Sequence, residues 1–74
     1  MRRLSSWLVE IRLNGEQHGI AEGMTLSDLL AQMGLAKRRV AIELNRAIVA
    51  KEDYRSTRLA PGDVVEVVQF VGGG

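Results

Sequence analysis

The sequence predicts an α+β fold: one mixed β-sheet with a single main helix packed on one of its faces. Three observations carry that expectation. Residues 7–13 and 39–45 alternate apolar and polar side chains with the period of a strand. Residues 26–33 place Leu26, Leu29, Leu30 and Met33 at helical spacing, one apolar stripe of a short helix. Residues 64–71 are almost continuously apolar, interrupted only by Glu66 and Gln69, the density of a central strand with a neighbour on each side.

The elements follow in chain order. Trp7, Val9, Ile11 and Leu13 share one face of the first strand, with Glu10 and Arg12 on the other. Asn14-Gly15 comes next, a dipeptide suited to a two-residue hairpin because both residues accept positive φ. Residues 16–21 then return as a weak, polar strand, which belongs at a sheet edge. After Glu22-Gly23, Thr25 can cap a helix, with Asp28 three residues on able to reach back to it. Gly34 suits the left-handed position after the last turn. Val40, Ile42 and Leu44 form the inner face of the next strand, and Asn45-Arg46 can turn it into a short partner at residues 47–49. Residues 51–58 are polar apart from Tyr54, and Pro61-Gly62-Asp63 is a turn leading into the last strand. One helix covers one face of a sheet, so the other faces solvent or a partner. Pairing the first and last strands in parallel at the centre buries the most apolar area, which makes the arrangement a β-grasp sheet. The expected core is Ile11, Leu13, Leu26, Leu29, Leu30, Ile42, Leu44 and Val67. Residues 1–7 read as a frayed extension, 8–71 as the domain and 72–74 as a flexible tail.

Composition narrows the functions available to such a domain. With 74 residues there is room for one thin core and little for a deep active-site cavity. Cysteine is absent and His18 is the single histidine, which excludes disulfides, thiol nucleophiles and His- or Cys-based metal centres, so no metal site is expected. No apolar run is long enough to span a membrane, and Ser5, Ser6 and Glu10 interrupt any signal-peptide core, so a cytoplasmic protein is expected. Ten Lys+Arg against nine Asp+Glu give a net charge of +1, a balance that predicts neither a nucleic-acid nor a membrane partner. No catalytic constellation is visible: there is no nucleophile turn with its triad and no phosphate loop. His18 reads as an exposed histidine of the polar hairpin arm, and Trp7 as a packing residue. Lys37-Arg38-Arg39 reads as a solvated run favoured by the dipole near a helix C-terminus, with a docking patch as the alternative.

The feature with chemical content is Gly72-Gly73-Gly74. A strand runs straight into it through Phe70 and Val71, which are the candidates for docking a partner beside the tail. Three extended residues reach ~10 Å beyond a fold. Without Cβ atoms Gly72 and Gly73 can thread a narrow slot, and a carboxylate at Gly74 is unhindered for activation by another protein.

At these residues the chain resembles the ThiS family, the sulfur carriers of thiamine biosynthesis. The resemblance runs through Ile11-Arg12-Leu13-Asn14-Gly15, Gly23-Met24-Thr25-Leu26-Ser27-Asp28-Leu29-Leu30 and Val40-Ala41-Ile42-Glu43-Leu44-Asn45. It continues through Ile48-Val49, Tyr54, Pro61-Gly62-Asp63-Val64-Val65-Glu66-Val67-Val68 and Phe70-Val71-Gly72-Gly73-Gly74. It covers residues 8–74, and the glycine ending is its most specific part. Residues 1–7 are an extension that the family pattern does not need.

The resemblance implies a ubiquitin-like β-grasp carrier that is not an enzyme and binds no cofactor. A ThiF-like adenylating enzyme would use ATP to adenylate the Gly74 carboxylate. A persulfide donor would convert the adenylate to a thiocarboxylate, and thiazole synthase (ThiG) would accept the sulfur. Three alternatives share parts of the pattern: the small subunit of molybdopterin synthase (MoaD-like), with the same tail chemistry, a ubiquitin-like modifier, and an RNA-binding TGS-like β-grasp module. The short path from helix to second strong strand disfavours the first, and the near-neutral charge disfavours the last.

Overall fold

The computed structural model describes residues 8–70. They form β1 (Leu8–Leu13), β2 (Glu16–Ala21), α1 (Leu26–Gln32), β3 (Val40–Leu44), β4 (Ala47–Val49), a single 3₁₀ turn (Lys51–Asp53) and β5 (Val64–Gln69). The five strands make one sheet in the order β2-β1-β5-β3-β4. β1 and β5 are parallel, with Arg12 opposite Val64 and Leu13 opposite Val65, and every other pair is antiparallel. The expected mixed sheet, the central pairing of first and last strands and the edge position of β2 are all present. Residues 1–7, read as a frayed extension with Trp7 packing at its end, and residues 71–74, read as the end of the domain and its tail, lie outside the described residues.

Local chemistry accounts for each turn. Asn14 and Gly15 both take positive φ, 50° and 86°, as the tight β1-β2 hairpin requires. The β3-β4 hairpin repeats this with Asn45 at 53° and Arg46 at 74°, so a side-chain-bearing residue occupies a site where glycine is at ease. Thr25 and Asp28 form a capping box: the Thr25 hydroxyl accepts from the Asp28 amide at 3.1 Å, and the Asp28 carboxylate accepts from the Thr25 amide at 3.0 Å. That amide bond, with a smaller contribution from the Thr25 hydroxyl, holds the Asp28 carboxyl below the usual carboxylate range.

The first amides of a helix lack intrahelical partners, and here each finds one. Leu26 donates to the Thr57 carbonyl and Ser27 to the Tyr54 carbonyl, both at 3.0 Å, while Asp28 uses the Thr25 hydroxyl. The polar segment after β4 is thereby fastened to the start of α1. At the other end Gly34 donates to Ala31 and Leu35 to Leu30, with Gly34 at φ 77°, a Schellman ending.

The core lies between α1 and one face of the sheet. Leu26, Leu29 and Leu30 pack against Val9 and Ile11 of β1, Ile20 of β2, Ile42 of β3, and Val65 and Val67 of β5, with Tyr54 and Leu59 closing the cluster. Six of the eight expected core residues are in it. Leu13 and Leu44 are half-buried at its rim, because each ends its strand beside a hairpin turn where no further element covers it. Ile20, Tyr54 and Leu59 are core members that no periodic pattern marks.

Two further corrections concern the charged positions. The helix ends at Gln32 with no basic residue in its last turn, so the dipole does not account for Lys37-Arg38-Arg39. His18 is half-buried, not exposed. Its register opposite Ile11 turns it toward the covered face, where its Nε2 lies 3.3 Å from Oε1 of Gln32.

Candidate functional site

β5 is the axis of the site, because it leads to the glycine tail. It is gripped from both sides by the asparagines of the two hairpins. On the β1 side, the Asn14 amide donates to the Val65 carbonyl at 2.9 Å, and Asn14 Oδ1 accepts from the Val67 amide at 2.8 Å. On the β3 side, the Asn45 amide donates to the Val64 carbonyl at 2.7 Å, and Asn45 Oδ1 accepts from the Val64 amide at 2.9 Å. Asn45 Nδ2 also donates to Asp63 at 3.1 Å, and Asp63 accepts from the Ala60 amide at 2.8 Å, which holds the turn before β5. Each asparagine therefore serves its own hairpin through its backbone conformation and β5 through its side chain.

Among the described residues nothing covers the sheet face away from α1, which mixes apolar side chains with charged ones such as Glu10, Arg12, Glu43 and Glu66. On β5, Val64, Glu66 and Val68 alternate with the buried Val65 and Val67. Val68 stands opposite Ala41, and Glu43 stands opposite both Glu66 and Ile48. Val68 is 54% exposed and Ile48 79%, and Leu8 is exposed on β1. Half of the apolar density of β5 thus faces outward, which explains why the strand reads as nearly continuous. In the middle of this face Glu43 and Glu66 are directly opposed, an unfavourable like-charge pair.

Phe70, the last described residue, is one position past β5. Its amide still donates to the Arg39 carbonyl at 3.0 Å, so it is placed by the sheet, while its side chain is 56% exposed. Of the residues expected at the site, Phe70 alone lies among the described residues, exposed just past the end of β5. Val71, Gly72, Gly73 and Gly74 lie outside the described residues. Among the described residues no group of His, Asp and Glu could hold a metal ion. No helix among them is long and apolar enough to cross a membrane.

The structure also shows a feature that composition conceals. An open groove of about 490 Å³ lies where Ser27 and Leu30 of α1, the segment before β3, the 3₁₀ turn and Phe70 meet. Lys37, Arg38, Arg39, Lys51 and Arg55 line it, and no carboxylate does.

Comparison with known proteins bears on all of this. Residues 9–74 match the pattern of the ThiS family. The chain is 44% identical over 66 residues to the thiazole synthase of Magnetococcus marinus, covering 89% of this chain but spanning only 20% of that protein. It is 46% identical over 50 residues to the sulfur carrier protein ThiS of Bacillus subtilis, covering 68% of this chain and 76% of that one. The crystal structure of the thiamine biosynthesis protein ThiS from Geobacter metallireducens superposes with a TM-score of 0.75 at 30% identity, over 89% of this chain and all of that chain.

Proposed function

The chain belongs to the ThiS family, and from that membership we propose that it is a sulfur carrier of thiamine biosynthesis that works through the carboxylate of Gly74. The observation that carries the proposal is the extent of the family match, which runs through the whole sheet and on through Gly72-Gly73-Gly74. A β-grasp domain with its last strand at the sheet centre gives such a tail a rigid base.

In this reading the chain is a co-substrate, not a catalyst. A ThiF-like adenylating enzyme attaches AMP from ATP to the Gly74 carboxylate and releases pyrophosphate. The acyl-adenylate is then attacked at its carbonyl carbon by the sulfur of a persulfide donor, and AMP leaves. Reductive cleavage of the resulting acyl disulfide by a thiol leaves a thiocarboxylate on Gly74. Thiazole synthase (ThiG) takes that sulfur. The likeness to a protein named thiazole synthase supports this acceptor over the molybdopterin route. Gly72 and Gly73 thread the enzymes, and the open sheet face with Phe70 and Val71 docks them. Holding the reactive sulfur on a tether presents it to the acceptor at high effective concentration.

The test is intact-protein mass spectrometry after incubation with ATP, a ThiF-like enzyme, a persulfide source and a thiol. The chain ending at Gly74 is expected to gain the mass difference between sulfur and oxygen. Deletion of Gly74 withdraws the carboxylate by ~3.5 Å, too far when reacting atoms must approach to ~3–3.5 Å. Gly73→Leu obstructs threading. Both variants are expected to stay unmodified, and modification of the deleted form equal to the parent would refute the proposal.

A further inference from the structure

We infer that the cationic groove beside Phe70 is a second docking element, which receives an acidic segment of the adenylating enzyme that takes the tail. The inference rests on the sulfur-carrier reading above and adds to its docking face a second surface, on the α1 side, that shares Phe70 with it. Its basis is a segregation of charge. The whole chain is almost neutral, with ten Lys+Arg and nine Asp+Glu, yet five of those ten cations line this one groove. They come from two separate stretches of sequence: Lys37, Arg38 and Arg39 from the approach to β3, and Lys51 and Arg55 from the 3₁₀ turn after β4 and just beyond it. The β3-β4 hairpin folds these two stretches together.

Among the described residues no hydrogen bond from these five side chains is found, and no carboxylate lines the groove. The run at residues 37–39 lies beyond the last turn of α1, and the five side chains are exposed. Gathering five like charges costs self-repulsion, which Glu52 and Asp53, next to the groove in sequence but not lining it, offset in part. An acidic partner segment would relieve it, and several arginines in one groove suit paired hydrogen bonds to carboxylates.

Position selects the occupant. Phe70 lines the groove, and its amide is bonded to the carbonyl of Arg39, so the groove sits at the root of the tail. A protein that grips residues 71–74 is brought against it. The groove is also a single notch and not a track, and Tyr54, the other aromatic residue lining it, is buried. Single-stranded nucleic acid wants a basic path with several exposed rings on which successive bases stack, and the residues lining this groove offer one, Phe70.

The experiment measures association of the full chain with a ThiF-like adenylating enzyme by stopped flow across a range of salt. Arg38→Glu and Arg39→Glu are compared with Arg58→Glu, an exposed control outside the groove with the same change in net charge. Urea unfolding verifies that each variant folds like the parent. The groove variants are expected to associate about tenfold more slowly at low salt and to lose much of the salt dependence. The control is expected to stay close to the parent.

If the parent associates and is thiocarboxylated while the groove variants match the control, this inference alone falls. If the parent neither associates nor is modified, the sulfur-carrier reading falls and takes the inference with it. A labelled oligouridine RNA is titrated in parallel. RNA binding abolished by Arg39→Glu, with enzyme association unaffected, would overturn the inference in favour of a nucleic-acid site.

Discussion

The two faces of the sheet are made from the same strands but answer to different demands. On the covered face Ile42 and Val65 are wholly buried beneath Leu26 and Leu29, and exposure is confined to strand ends such as Glu16, Ala47 and Gln69. On the open face Val68 and Ile48 are left to water, and Glu43 and Glu66 oppose each other. If stability alone governed both, the exposed valine and isoleucine would be polar and the glutamate pair would be complementary. The difference teaches that one face is packed for the fold while the other, the face proposed above for docking, carries apolar side chains that the core does not use, a division that single substitutions can probe.

The largest effect belongs to the covered face. Leu29→Ala removes a fully buried side chain, and its cost is expected at ~2–5 kcal/mol, a large part of what holds so small a domain together. Urea denaturation measures it, and a parent-like midpoint would mean that the helix stripe does not anchor the core. Phe70→Ala on the tail side should do the reverse. Its unfolding free energy should stay within about 0.5 kcal/mol of the parent. Its affinity for the adenylating enzyme should fall by ~1–2 kcal/mol, as for an exposed aromatic anchor. A variant that loses stability instead would erase the distinction between the faces.

Smaller effects sharpen the contrast. Glu66→Gln relieves the like-charge pair and is expected to raise stability by a few tenths of a kcal/mol, detectable as a higher urea midpoint. A drop would show that the pair is held by something within the fold. Acid should act on the covered side through its helix cap. The Asp28 carboxyl titrates below its ordinary range when folded, so its contribution is present above the unfolded pKa. It is lost as pH falls below about 4 toward the folded value. Comparing urea midpoints at neutral and acid pH, Asp28→Asn should show a smaller acid-induced fall than the parent. An identical fall would assign acid sensitivity to other carboxylates.

Much of the fold was legible because it is written in local signals. The Asn14-Gly15 turn, the Thr25-Asp28 box, the leucine stripe and the density of β5 each act within a few residues, and each appears as expected. What escaped depends on distance. Tyr54 and Leu59 are isolated apolar residues in polar surroundings. They are buried because the amides of Ser27 and Leu26 bind the Tyr54 and Thr57 carbonyls, and Leu59 donates to Met24. No window of sequence shows that pairing.

Ile20 was masked by the polarity of β2, although its place opposite Val9 puts it inside. Of the site, Phe70 was visible as the end of an apolar strand. The cationic groove was not, since a net charge averages over the cations that the β3-β4 hairpin collects on one side.

The double grip of Asn14 and Asn45 on β5 has a metrological consequence. A carrier of this kind must deliver an atom to a fixed address, and the accuracy of delivery depends on where the fold ends and the tether begins. Four extended residues beyond Phe70 span ~14 Å, and a slip of β5 by one residue would move the endpoint by ~3.3 Å. The side-chain bonds to the Val64 and Val67 amides pin the strand from opposite sides. In the carrier reading proposed above they are two datum points from which the reach of residues 71–74 is counted, so loops elsewhere can vary without changing it.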